Sequence, residues 1–194
     1  MRLILTYRRL AAALICAFLL SACVTRADID YTPYDDIPGD YSLEDAKRDG
    51  CVVQEDGKIT AGQAVWDAFL ANTEENKPAT VRLVFYYTLD DLNVSEEYYE
   101  ENKDNYPKMY IEDLVYDGES YTVSLTDESG DYVRTYKYLR HFTGDMRAGA
   151  RYDRYSYYVL VDDLEVTWER IEYGMLSSRL GDGIDHHRVY SHYE

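Results

Sequence analysis

Apolar and polar positions follow two periods along this chain, and the switches between them mark its elements. An unbroken apolar run covers Leu10 to Leu20, preceded by Arg2, Arg8 and Arg9. Residues 23–41 lose periodicity and carry Asp28, Asp30, Asp35, Asp36 and Asp40 with Pro33 and Pro38, which reads as an acidic tether. Ser42, with Asp45 three residues on, has the spacing of a capping box and predicts a short helix stopping at Gly50. A strand from Cys51 to about Gln54 and a turn at Asp56-Gly57 follow. Thr60 and Gln63 repeat the capping-box spacing. Behind them Val65, Trp66, Phe69 and Leu70 form one apolar stripe at helical spacing, predicting a second helix that ends before Lys77-Pro78.

Thr80 to Leu89 is β-branched and aromatic, with Val81, Leu83 and Phe85 on one face and Arg82 and Tyr86 on the other, as in a strand. Residues 90–106 depart from this pattern. Pairs such as Glu96 and Glu100 repel on a helix, so the stretch is predicted as a mobile acidic excursion between strands. Met109 to Val115, Tyr121 to Thr126 and Tyr132 to Phe142 predict three consecutive strands in an antiparallel meander. Asp117-Gly118 suits a two-residue type I′ turn between the first two, and Asp127 to Asp131 turns between the next. Tyr157 to Val161 reads as a buried strand, Thr167 as the cap of a helix carrying Trp168, Ile171 and Met175, and His186 to Tyr193 as a final strand. The expected fold class is α+β: a mainly antiparallel sheet of six to seven strands with two main helices packed on one face, in a single domain over 42–194.

The first apolar run ends in Leu20-Ser21-Ala22-Cys23. This tetrad resembles the lipobox of bacterial lipoproteins: a branched apolar residue, two small ones, then cysteine. The arginines and the Leu10–Leu20 run ahead of it have the layout of a secretory signal, and the run is too short to span a bilayer. The resemblance implies a signal peptide over 1–22, a diacylglyceryl thioether on the thiol of Cys23, and a freed amine open to further acylation. Two acyl chains give stable anchoring where one is marginal. The implied location is the extracytoplasmic face of the cell membrane.

Within the domain, Val52-Val53, Asp56-Gly57-Lys58-Ile59, Phe69-Leu70, Val81-Arg82-Leu83-Val84, Tyr87-Thr88 and Leu114-Val115-Tyr116-Asp117-Gly118 fall in a recognisable order. Over about residues 42–126 the chain resembles a family of small bacterial lipoproteins, mostly from Gram-positive organisms, whose domain has no known function. Residues 90–106 depart from that pattern, which has a short turn there. The resemblance carries no catalytic residue.

Composition sharpens the picture. The whole chain has a formal charge of −17, and the three arginines before Cys23 leave 17 basic against 37 acidic residues after them. Such a chain repels anionic surfaces at large. Of three cysteines, Cys16 would leave with the signal and Cys23 would carry lipid, so Cys51 has no partner for an internal disulfide and reads as a buried small hydrophobe. The tether's aspartates lack the spacing of a calcium loop.

Against the acidic background, Arg134, Lys137, Arg140, Arg147, Arg151 and Arg154 meet only Asp145 and Asp153. Interleaved tyrosines make Arg134, Tyr136, Tyr138, Arg140, Arg147, Arg151 and Arg154 a candidate binding patch for an envelope polymer or protein. Export argues against nucleic acid, and the alternative is that these arginines neutralise neighbouring acidic strands. Three of the four histidines cluster near the C-terminal end. His186, His187 and His192 with Asp185 are weak metal candidates, because on a regular pleat His186 and His192 share a face that His187 leaves. No Gly-x-Ser-x-Gly, phosphate loop, His-Glu-x-x-His or Cys-x-x-Cys occurs. The reading is a membrane-anchored, monomeric binding or interaction module with no cofactor and no catalytic residue. The alternatives are an envelope hydrolase using a carboxylate pair, or a metal-binding lipoprotein using the C-terminal histidines.

Overall fold

A computed structural model describes residues 37–90, 94–127, 130–150, 152–179 and 181–194. Cys23 and Arg151 lie outside the described residues. The chain begins with α1 (Leu43–Arg48), for which the Ser42–Asp45 capping box forms: the Ser42 side chain accepts from the Asp45 N–H, and the Asp45 carboxylate accepts from the Ser42 N–H at 3.0 Å. Next come β1 (Val52–Glu55), β2 (Lys58–Ala61) and α2 (Gln63–Glu74). β3 (Ala79–Tyr87), α3 (Glu96–Asn102), β4 (Lys108–Tyr116), β5 (Tyr121–Asp127) and β6 (Gly130–Tyr136) follow. The remainder is β7 (Tyr138–Asp145), β8 (Arg154–Val161), α4 (Trp168–Leu176) and β9 (His186–Tyr193).

The fold is α+β, with the strands in two sheets. β2-β1-β3-β4-β5-β6 form a six-stranded mixed sheet in which β1 and β3 run parallel and the other neighbours antiparallel. β7-β8-β9 form a second, antiparallel sheet. The predicted β4-β5-β6 meander is present. A single strand over Tyr132–Phe142 is not: Lys137 breaks it, donating its backbone N–H to Asp162 at 3.1 Å, and the chain leaves one sheet for the other. The β4–β5 connection is longer than a type I′ turn. Asp117 accepts from the backbone N–H groups of Glu119 and Ser120, each at 2.8 Å, so a side chain closes a four-residue loop.

Helices cover three different surfaces instead of one. Ala46 of α1 packs on Cys51, Val53 and Val84, on the outer face of the large sheet. Trp66 and Phe69 of α2 pack between the sheets, among Val81, Leu83 and Leu114 from one and Leu160 and Val189 from the other. Ile171 of α4 packs on Val159 and Val161, on the far face of the small sheet. Each sheet alternates side chains between two faces, so covering every apolar row takes a helix on either side as well as the facing sheet.

Two local expectations fail for identifiable reasons. The Thr60–Gln63 box does not cap α2: the N-cap is Gly62, at φ 76°, where an added Cβ would lie 2.7 Å from Val52 Cα. Thr60 turns instead to Glu55, and Gln63 to Asp67 and Tyr190. The acidic stretch contains α3, whose Ser95 side chain accepts from the Tyr98 N–H at 3.2 Å. Glu96 and Glu97 occupy the first turn, where the helix dipole favours them, and Lys103 pairs with Glu100. Among the described residues no helix is long and apolar enough to cross a membrane.

Candidate functional site

Two side chains of the large sheet reach β9, one near each end of that strand. Buried Gln54 donates its Nε2 to the Ser191 carbonyl at 2.6 Å, and Glu112 Oε2 meets His187 Nε2 at 3.0 Å. Beside these ties lies a cleft of about 240 Å³.

Strand register explains who lines it. Gln54 pairs with Phe85 and Phe85 with Tyr110, a row running across β1, β3 and β4; Glu112 pairs with Leu125 on the same face. Tyr87 and Tyr110 form the rim, 41% and 42% exposed, with ring centroids 6.0 Å apart in an edge-to-face arrangement. From the other sheet come Ser191 and Arg188. Arg188 owes its place to a β-bulge: Tyr158 pairs with Tyr190 and Val159 with Arg188, leaving Val189 as the extra residue. A bulge re-aims the side chains that follow it. The Arg188 guanidinium lies 5.0 Å from the Tyr157 ring centroid and makes no ion pair or hydrogen bond among the described residues. Burial raises the pKa of the Tyr87 phenol; the Arg188 charge opposes the shift and the Glu112 charge adds to it. The phenol therefore stays protonated at neutral pH, within the field of both charges.

Polar capacity at the floor is partly unused. Gln54 is 6% exposed, and its amide oxygen has no hydrogen-bond partner among the described residues. That oxygen opens onto solvent in the cleft, where a ligand N–H can reach it. Glu112 is the carboxylate that lines this cleft, whereas a hydrolytic pair requires two.

The bulge also rearranges the C-terminal histidines. His187 faces Leu160 and His192 faces Ser156 across the register, so these two share a face and His186, opposite Val161, takes the other. They do not converge: His186 Nδ1 lies 2.7 Å from the Ile184 carbonyl, His187 pairs with Glu112, and His192 lies 3.8 Å from Glu194. Asp185 is committed to Arg134 and to the Tyr136 hydroxyl. Among the described residues no group of three His, Cys, Asp or Glu side chains is arranged to hold a metal ion.

The basic segment is distributed over both sheets. Arg134, on the edge strand β6, pairs with Asp185; Tyr136 is 1% exposed, and its hydroxyl is 3.1 Å from that of Tyr132. Tyr138 packs into the cluster under α4. Arg140 lies over the Phe142 ring at 5.3 Å, Arg147 pairs with Glu172 at 3.0 Å, and Arg154 lies 3.9 Å from Asp145. Arg134, Arg147 and Arg154 are thus matched to nearby acids, and the described members of the set are spread over β6, β7, β8 and the loop between β7 and β8.

Other concavities among the described residues include the following pair. One, of about 440 Å³, lies beside the start of α4 and is lined by Arg140, Tyr155 and Trp168. The second, of about 260 Å³, contains Trp66, Asp67, Ser156 and His192. Beside the second, His141 Nε2 lies 2.8 Å from Ser156 Oγ, a spacing compatible with a base and a nucleophile. Among the described residues no acid orients that imidazole, and burial lowers its pKa.

Sequence reasoning missed Gln54, Tyr87, Tyr110, Glu112, Arg188 and Ser191 as a group. They come from four strands of two sheets, and no spacing along the chain signals a bulge at Val189. No family model, no curated protein and no solved structure matches this chain.

Proposed function

We propose that this chain is an extracytoplasmic lipoprotein, held at the membrane through a lipidated Cys23, whose folded part is a binding module for an envelope component. The observation that carries the binding role is the inter-sheet cleft, with exposed Tyr87 and Tyr110 at its rim and an unpaired Arg188 beside Gln54, whose amide oxygen is free to accept. Aromatic rims with a few convergent polar groups are the usual make-up of small-ligand sites. The anchor reading rests on the order Leu20-Ser21-Ala22-Cys23 behind a short apolar run. It accords with described helices too short or too polar to span a bilayer. Binding is assigned to the cleft in preference to the basic segment, because Arg134, Arg147 and Arg154 of that segment are already matched to acids.

The anchor is tested by the mass of the protein extracted from membranes of a bacterial host, wild type against Cys23→Ala. A chain starting at Cys23 and heavier by a diacylglyceryl group, absent in the mutant, is the expected result. An unmodified wild-type chain would remove the membrane location from the proposal.

A further inference from the structure

The cleft's chemistry goes further than an unspecified ligand. Resting on the reading of the cleft as the binding site, we infer that it takes the carboxylate end of a peptide, with the terminal carboxylate on Arg188 and the last side chain among Phe85, Leu125, Tyr87 and Tyr110.

Three features converge on that class. First, Arg188 is a cation without an acidic partner in a chain of net charge −17, where chance pairing with a carboxylate is easy. A planar guanidinium offers parallel N–H donors matched to a carboxylate, and the Tyr157 ring beneath holds it. Second, the free group at the floor is complementary to an amide. The Gln54 amide oxygen can accept from a peptide N–H. Gln54 cannot turn away, because its Nε2 is fixed on the Ser191 carbonyl at 2.6 Å. Third, Phe85, Leu125 and the rings of Tyr87 and Tyr110 give the cleft an apolar side beside its polar groups, and the 240 Å³ volume is below the about 300–1,000 Å³ of pockets enclosing drug-sized molecules. A terminal residue with its preceding amide suits that size. A sugar acid would satisfy Arg188 but would set hydroxyls against Phe85 and Leu125. Glu112, held by His187, adds a negative charge on one side of the cleft and disfavours a ligand with a second carboxylate.

The test is calorimetric titration of the full chain in detergent micelles with N-acetyl-leucine and N-acetyl-phenylalanine, each against its carboxamide, with glucuronate as a further arm. The expected result is saturable binding of the acids, weakened about tenfold or more in the carboxamides, since hydrogen bonds to charged groups are the strong ones. Arg188→Gln should remove the difference between acid and amide without moving the unfolding midpoint, because Arg188 is exposed. Arg48→Gln, on α1 at the opposite face, should leave both affinities unchanged. Acid and carboxamide binding equally, Arg188→Gln keeping the discrimination, Arg48→Gln abolishing it, or glucuronate outcompeting the acids would each overturn the carboxylate inference while leaving the cleft as a site. Absence of saturable binding by every probe would overturn both.

Discussion

The ion pair between Arg82 and Asp113 gives a prediction that depends on which partner is removed. These residues face each other across β3 and β4, on the α1 side of the large sheet, and Arg82 grips Asp113 through Nε at 2.6 Å and Nη2 at 2.8 Å. Side-chain exposure is 24% for Arg82 and 2% for Asp113. Removing the carboxylate as Asp113→Ala leaves a guanidinium that can rotate toward water, so the loss is near the about 1–3 kcal/mol of a charged hydrogen-bonded pair. Removing the cation as Arg82→Met leaves a carboxylate buried in a sheet, and breaking a buried pair in that sense costs about 3–5 kcal/mol. With a urea dependence of about 2 kcal/mol/M, Arg82→Met should lower the unfolding midpoint by about 1.5–2.5 M and Asp113→Ala by roughly half as much. The double variant Arg82→Met, Asp113→Leu should recover much of the loss, since apolar replacement of a buried pair is often neutral or better. Urea titration followed by circular dichroism reads all three. Equal midpoints for the two single variants, or a double variant as unstable as Arg82→Met, would refute the burial argument.

Gly62→Ala should destabilise by several kcal/mol in the same assay. The left-handed backbone alone costs an L-residue about 1–2 kcal/mol, and the new Cβ meets the backbone of Cys51 and Val52; a loss under 1 kcal/mol would count against this N-cap geometry. Cys51 is 5% exposed and burial raises its thiol pKa, so alkylation at neutral pH should be slow in the native chain and fast in denaturant, as mass spectrometry would report; fast native labelling would contradict its burial. His141 has a pKa lowered by burial from 6.5, so the unfolded chain takes up its proton first as pH falls. Stability present above about pH 6.5 should therefore decline through that value toward the lower folded-state pKa, and His141→Gln should flatten that part of the profile. An unchanged slope would refute the assignment.

Local signals in the sequence were reliable where the deciding contacts are local. Ser42 and Asp45 lie three residues apart, and their reciprocal bonds need nothing beyond the first turn of α1. The strands of the β4-β5-β6 meander are visible as runs of β-branched and aromatic residues, and Trp66 and Phe69 in the stripe of α2 are both buried. Val65 in the same stripe is 39% exposed, and Met175 of α4 is 53% exposed, because a stripe is wider than the partner available to cover it. Features decided by distant contacts were not visible. The continuous pattern from Tyr132 to Phe142 hides the change of sheet at Lys137, since both halves alternate equally well. Charge repulsion argued against α3, but Ser95 and Lys103 supply a cap and a counter-ion that outweigh it. The cleft was least legible, because its cation depends on one unpaired residue in β9.

That last strand has a consequence in the order of events. The two bonds that join the sheets beside the cleft span 137 residues for Gln54 and Ser191 and 75 for Glu112 and His187, and both end in β9. As the chain is made, every other wall of the cleft exists before the strand that supplies Arg188 and closes the floor. A molecule interrupted before β9 could assemble much of its large sheet and still have nowhere for a ligand to sit. Under the proposed binding role, a competent cleft requires β9, and occupancy would favour molecules that contain this strand over those that lack it by mass action.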